Sequence, residues 1–131
     1  MEIRYYLTIL LIILCAISAF GQWSNDPLQN LAVADTSGEQ ILPKISAPTD
    51  GGCFISWFDS RNGNYCVDLQ RLNSLGETQF AHNGLLISSH PHQTWLTDYD
   101  MCVDGSDNAI IVFNDIRNGG NCDWDIFAYK I

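Results

Sequence analysis

Basic residues are scarce: 6 Lys and Arg stand against 15 Asp and Glu in 131 residues, for a net charge of −9. Phosphate recognition needs clustered Lys and Arg, so nucleic acid and anionic membrane surfaces are excluded as partners. A run of apolar residues long enough to span a bilayer is also missing. The longest, Tyr5 to Ala19, is about 15 residues where about 20 are needed. Outside that run no window carries the 3.6-residue periodicity of an amphipathic helix. Absent too is any constellation that would carry catalysis, and no cofactor is called for.

The first 21 residues read as a secretory signal peptide. A short polar start, Met1-Glu2-Ile3-Arg4, precedes the apolar run, and Ala19-Phe20-Gly21 places small residues at the −3 and −1 positions of a cleavage site. Cys15 follows Leu14, where a lipoprotein signal has a small residue, so lipidation is not expected. Cleavage removes one acid (Glu2) and one base (Arg4), leaving the charge at −9 and no stable membrane insertion. The expected location is secreted or at the cell surface, where an acidic surface favours solubility and disulfides are permitted.

What the rest contains is one unit written twice. Phe54-Ile55-Ser56-Trp57-Phe58-Asp59-Ser60-Arg61-Asn62-Gly63 matches Ile110-Ile111-Val112-Phe113-Asn114-Asp115-Ile116-Arg117-Asn118-Gly119 at an offset of 56 (59 against 115). Upstream, Asn30 and Gln40 match Asn83 and Gln93 at 53. Downstream, Gln70-Arg71-Leu72 matches Tyr129-Lys130-Ile131 at 59. The second copy thus holds two insertions of three residues, between Gln93 and Met101 and between Gly119 and Ile126, in gaps between apolar runs where strand-connecting loops tolerate them. The copies are bounded as residues 22–76 and 77–131.

Each copy predicts short strands and tight turns. In the first, strands are expected at Leu31 to Ala34, Lys44 to Ala47, Cys53 to Phe58 and Cys66 to Leu72. Turns fall at Thr49-Asp50-Gly51-Gly52 and Asn62-Gly63. In the second, strands are expected at Leu85 to Ser88, Asp100 to Val103, Ala109 to Asn114 and Asp125 to Ile131. Four short strands per unit describe a propeller blade, so the expected fold is all-β: two consecutive four-stranded blades of an incomplete β-propeller.

The run Asp50-Gly51-Gly52-Cys53 through Trp57-Phe58-Asp59-Ser60-Arg61-Asn62-Gly63, with Gln70-Arg71-Leu72-Asn73, resembles the blade repeat of large secreted bacterial β-propeller proteins, many of them from Bacteroidetes. Gln40, Pro43 and Ile45 fill the first part of that repeat. Asp125-Ile126-Phe127-Ala128 resembles its closing Asp-Ile-Tyr-Ala, and Phe80, Asn83 and Gly84 resemble the link between blades. The resemblance covers residues 23 to 131. It departs at Cys66, where the family has Asp, and at Phe113, where it has Trp. It implies a non-catalytic scaffold or binding module whose partners are neighbouring blades of a longer chain, with carbohydrate or protein as a ligand. Two blades do not close a propeller and no sorting domain for type IX secretion follows, so the expectation is a partial chain. The rival readings are a fragment of an extracellular sialidase- or glycosidase-like propeller enzyme, and an adhesin-like protein that assembles from several copies.

The prominent polar residues are Asp59, Arg61, Asn62 and Gly63 with their counterparts Asp115, Arg117, Asn118 and Gly119. Catalysis would use the Asp as acid or base and the Arg to hold an anion, but a single active site needs its residues once. Recurrence assigns them to turn architecture, the Asp accepting free backbone N–H groups. Asp50-Gly51-Gly52 and Asp104 to Asn108 read as turns before calcium loops. His90-Pro91-His92 reads as a variable loop before a metal site. Trp57, Trp95, Trp124, Tyr65 and Tyr99 are candidates for a carbohydrate-stacking surface. Trp57 is assigned to the core, leaving Trp95 and Trp124, beside the insertions, as the better exposed contacts. Antiparallel strands put Cys53 and Cys66 at opposite ends, and Cys102 and Cys122 likewise. Cys66 and Cys122 could pair if the second insertion brings their Cα atoms within about 7 Å. Cys53 and Cys102 are expected to be buried small hydrophobes.

Overall fold

The computed structural model describes residues 23–24, 26–92, 98–118 and 124–131, excluding the side chains of residues 91 and 92. The expected signal peptide, Trp95, Gly119 and Cys122 lie outside these residues. The chain divides into two units, residues 1–30 and 31–131. In the first, Asp26 accepts the Leu28 N–H in a short turn. Among the described residues no helix is long and apolar enough to cross a membrane.

The second unit is all-β and holds two antiparallel sheets. Sheet one is β1 (Gln40–Ser46), β2 (Cys53–Asp59), β3 (Tyr65–Leu72) and β4 (Leu85–His92), in that order. Sheet two is β5 (Asp100–Val103), β6 (Ala109–Asp115) and β7 (Asp125–Lys130). The ladders follow the repeat offsets. Ile45 faces Ile55 as Met101 faces Ile111; Trp57 faces Asp68 as Phe113 faces Phe127; Asp59 faces Cys66 as Asp115 faces Asp125.

Three strand expectations change. Leu31 to Ala34 is not a strand: its counterpart in β4 pairs with β3, whereas no described strand lies upstream of Leu31 to receive it. Leu85 to Ser88 therefore belongs to sheet one, so sheet and sequence repeat are out of phase. Sheet two has three strands among the described residues rather than four. β1 also begins earlier than Lys44. Pro43 offers no ladder donor, and the chain passes it with a register shift and a positive φ of 52° at Leu42, a distortion an edge strand tolerates.

The core lies between the sheets. Phe54, Phe58, Val67 and Leu69 of sheet one meet Tyr99, Met101, Ala109, Ile111 and Phe113, all buried. Alternation puts Phe54, Ser56 and Phe58 of β2 on this face and Cys53, Trp57 and Asp59 on the other. β2 is nevertheless buried on both faces, because the segment from Phe80 to Gly84 runs over the far one. There Gln70 donates to the Ala81 carbonyl and accepts the Phe80 N–H. Gly84 is required at this crossing: its φ is +86°, and a Cβ would lie 2.6 Å from the Trp57 ring. Cys53 is buried as expected, but Cys102 is exposed, since Met101 takes the inward position and alternation turns its neighbour out.

Candidate functional site

The Asp-x-Arg turns are the most densely bonded polar features. At the end of β2, Asp59 is 1% exposed. Its Oδ1 accepts the Arg61 N–H at 2.8 Å; its Oδ2 accepts the Trp57 indole N–H at 3.0 Å and the Arg61 guanidinium at 2.5 Å. The same Arg61 nitrogen donates to the Asn83 carbonyl at 2.7 Å and to Asp68 at 3.3 Å. Gly63 closes the turn on the Ser60 carbonyl with φ at +95°, and Asn62 beside it is exposed. Burial opposes the charge of Asp59, yet Arg61, the indole and the backbone N–H together hold its carboxyl below the usual carboxylate range.

The second turn uses the same elements differently. Asp115 is fully buried, and both its oxygens accept the Arg117 Nε–H, at 2.9 and 2.8 Å, while Oδ1 also takes the Arg117 backbone N–H. The guanidinium lies 3.6 Å from the centroid of the Phe127 ring and reaches the Tyr129 hydroxyl. Asn118 donates to Asp125. Phe127 occupies the position that Asp68 holds in the first copy, and Phe113 that of Trp57. One arginine is therefore clamped between two carboxylates; the other is stacked on an aromatic ring.

Asp68 is a site residue that sequence reasoning passed over, although its alignment with Phe127, and with the tyrosine of the resembling family, was a legible signal. It is 3% exposed. Burial pushes its carboxyl up to about 7; Arg61 pulls against this and the neighbouring Asp59 charge adds to it. Cys66, opposite Asp59, is a free buried thiol, raised first by burial and then by the charges of Asp68 and Asp59. It has the character of a packed hydrophobe rather than a reactive thiolate.

The raised carboxyl carries a pH dependence of definite sign. Unfolded, Asp68 loses its proton near 3.8; folded, it keeps it to about 7. Its contribution to stability is therefore full below the unfolded value and is lost as pH rises through the folded one. Between pH 5 and 8 the loss is about 2 kcal/mol after allowance for solvent screening, or roughly 10 °C in Tm. Thermal unfolding of Asp68→Asn should be flat across this window, matching the native chain at pH 5 and exceeding it at pH 8. A native profile as flat as that of the variant would refute the assignment.

The other candidates fall apart as sites. Asp50 accepts the Gly52 N–H and pairs with Arg71; Asp104 accepts the N–H groups of Ser106 and Asn108 and pairs with Lys130. Both are turn carboxylates. Among the described residues no three His, Cys, Asp or Glu groups gather as a ligand set; His90 is exposed, and His90-Pro91-His92, expected as a loop, is the end of strand β4. Trp57 and Tyr99 do not belong to an exposed aromatic surface: they are 3% and 4% exposed and pack on opposite faces of sheet one. Trp124, at 39% exposure, is on the surface beside β7. No family model, curated protein or solved structure matches the chain.

Proposed function

We propose that the chain is a secreted or cell-surface β-propeller repeat module, a non-catalytic scaffold or binding unit whose two sheets are consecutive blades. The observation that carries the reading is the closure of both Asp-x-Arg turns on themselves. Asp59 and Asp115 spend their oxygens on their own arginines and backbone, are shut from solvent, and lie on opposite faces of sheet one. Two such carboxylates cannot flank one scissile bond. What supports the blade reading is that sheet two lays its Ala109–Ile111–Phe113 face on the Phe54–Phe58 face of sheet one, as stacked repeats do.

The test is hydrolysis of a panel of aryl glycosides and sialosides. The expected result is no turnover, with Asp59→Asn and Asp115→Asn lowering Tm. Turnover that either variant abolishes without a change in Tm would establish the enzyme reading instead.

A further inference from the structure

The segment from Phe80 to Gly84 crosses the far face of sheet one without joining its ladder. Its entry is fixed by Gln79, whose N–H donates to the Arg71 carbonyl, and its exit by Leu85, which pairs with Leu69. Between those points side chains hold it. Gln70 grips Phe80 and Ala81, and Arg61 Nη2 donates to the Asn83 carbonyl at 2.7 Å. From outside, the Asp35 N–H donates to the Asn83 side chain at 2.8 Å, and His82 Nε2 lies 2.7 Å from the Asp35 carboxylate. Ala81 and His82 are exposed, so one layer of chain separates Trp57 and Asp68, both 3% exposed, from water.

The fastening at Asn83 is shared with two acids. The same Arg61 nitrogen serves Asp59 at 2.5 Å and Asp68 at 3.3 Å. One guanidinium therefore stands against two buried carboxyls, enough charge for one of them. Among the described residues, no cation besides Arg61 acts on Asp68. Across the ladders from it lie Trp57 and Leu86, and Cys66 precedes it on its own strand. Glu39, just before β1, is bonded to the Tyr65 hydroxyl. An ionised Asp68 competes with the Asn83 carbonyl for the Arg61 nitrogen, and a second buried charge is relieved by admitting water beneath the segment.

We propose that the Phe80–Gly84 segment is a pH-gated strap, seated on sheet one while Asp68 is protonated and released from Trp57 as Asp68 ionises. The proposal does not depend on reading the sheets as blades. Seated, burial holds the Asp68 carboxyl at about 7; hydrated beneath a lifted strap, it returns toward 3.8. A carboxyl raised in the seated state favours seating fully below the lower value and ceases to favour it as pH rises through the higher one. Opening therefore grows more frequent as pH rises toward about 7 and levels off above it. What it uncovers is the Trp57 ring that packs on Gly84, with the ionised Asp68 across the ladder from it: a recessed face both aromatic and acidic.

Amide hydrogen exchange of the exported chain at about pH 5 and pH 8, without urea and in low urea, tests this. After division by the intrinsic rate at each pH, protection of the Phe80 and Gly84 N–H groups is expected to fall about tenfold or more across this range. Global unfolding also hydrates Asp68, so the urea response separates the two events. Strap amides should exchange independently of low urea, while the amides of β6 respond steeply. Asp68→Asn should abolish the pH response, and His82→Gln should retain it. Protection unchanged between the two pH values, or strap amides that share the urea dependence of β6 at pH 8, would overturn the proposal. So would a pH response that survives in Asp68→Asn; if His82→Gln removes it, the sensor is the His82–Asp35 pair instead.

Discussion

Truncation of Phe58 to alanine will cost the chain about 3–5 kcal/mol, the range of a large aromatic deleted from a packed core. Phe58 is fully buried and is shared by two sets of contacts: Val67 and Leu69 within the cluster of sheet one, and the Tyr99 ring of sheet two. Its loss therefore empties a space that neither sheet can refill alone. The counterpart in the second copy is Asn114, which lines an open groove on sheet two. Asn114→Ala should change stability by no more than about 0.5 kcal/mol, as surface substitutions do. Urea unfolding of the two variants, read from midpoints at unchanged slope, checks the contrast. Equal effects would mean that the sheets are not stacked as described.

Asp59→Ala will cost a similar amount, about 3–5 kcal/mol, because it breaks a largely buried ion pair and takes the shared acceptor from the donors around it. Three donors lose their acceptor at once: the Trp57 indole, the Arg61 N–H and the Arg61 guanidinium. Arg61 still has the Asn83 carbonyl and Asp68. With the Asp59 charge gone and the arginine free to turn toward it, the Asp68 carboxyl should fall from about 7 toward the ordinary carboxylate range. Carbon-detected titration of the Asp68 carboxyl reads this directly. An unmoved carboxyl would show that Asp59 and Arg61 do not act on it.

Much of the fold was legible because the repeat is written in residue types that strands and turns demand. The ladder registers follow the offsets of 56 and 59, and the Asn62-Gly63, Asp50-Gly51 and Asp104-Gly105 turns fall between the strands they were expected to join. The Asp-x-Arg residues were legible as turn architecture for the same reason, since recurrence tells against a single site. What the sequence pattern hid is which sheet a strand joins. Leu31 to Ala34 and Leu85 to Ser88 are similar apolar runs, yet only the second has a neighbouring strand edge to pair with. Burial was likewise out of reach where it depends on a partner sheet: Tyr99 is sealed by sheet one, and Cys102 is turned outward with nothing described lying over it. Asp68 was missed because an acid in a strand reads as a solvent-facing residue, and only the overlying segment from Phe80 to Gly84 and the Arg61 guanidinium make it a buried one.

The central claim is that the two sheets pack face to face, with Tyr99 seated in sheet one. Nuclear Overhauser spectroscopy of the folded chain tests it most directly. Cross-peaks are predicted between the Tyr99 and Phe58 rings and between Thr49 and Asp107, alongside the cross-strand contacts of both ladders. Intact ladders without the Tyr99–Phe58 and Thr49–Asp107 contacts would contradict it.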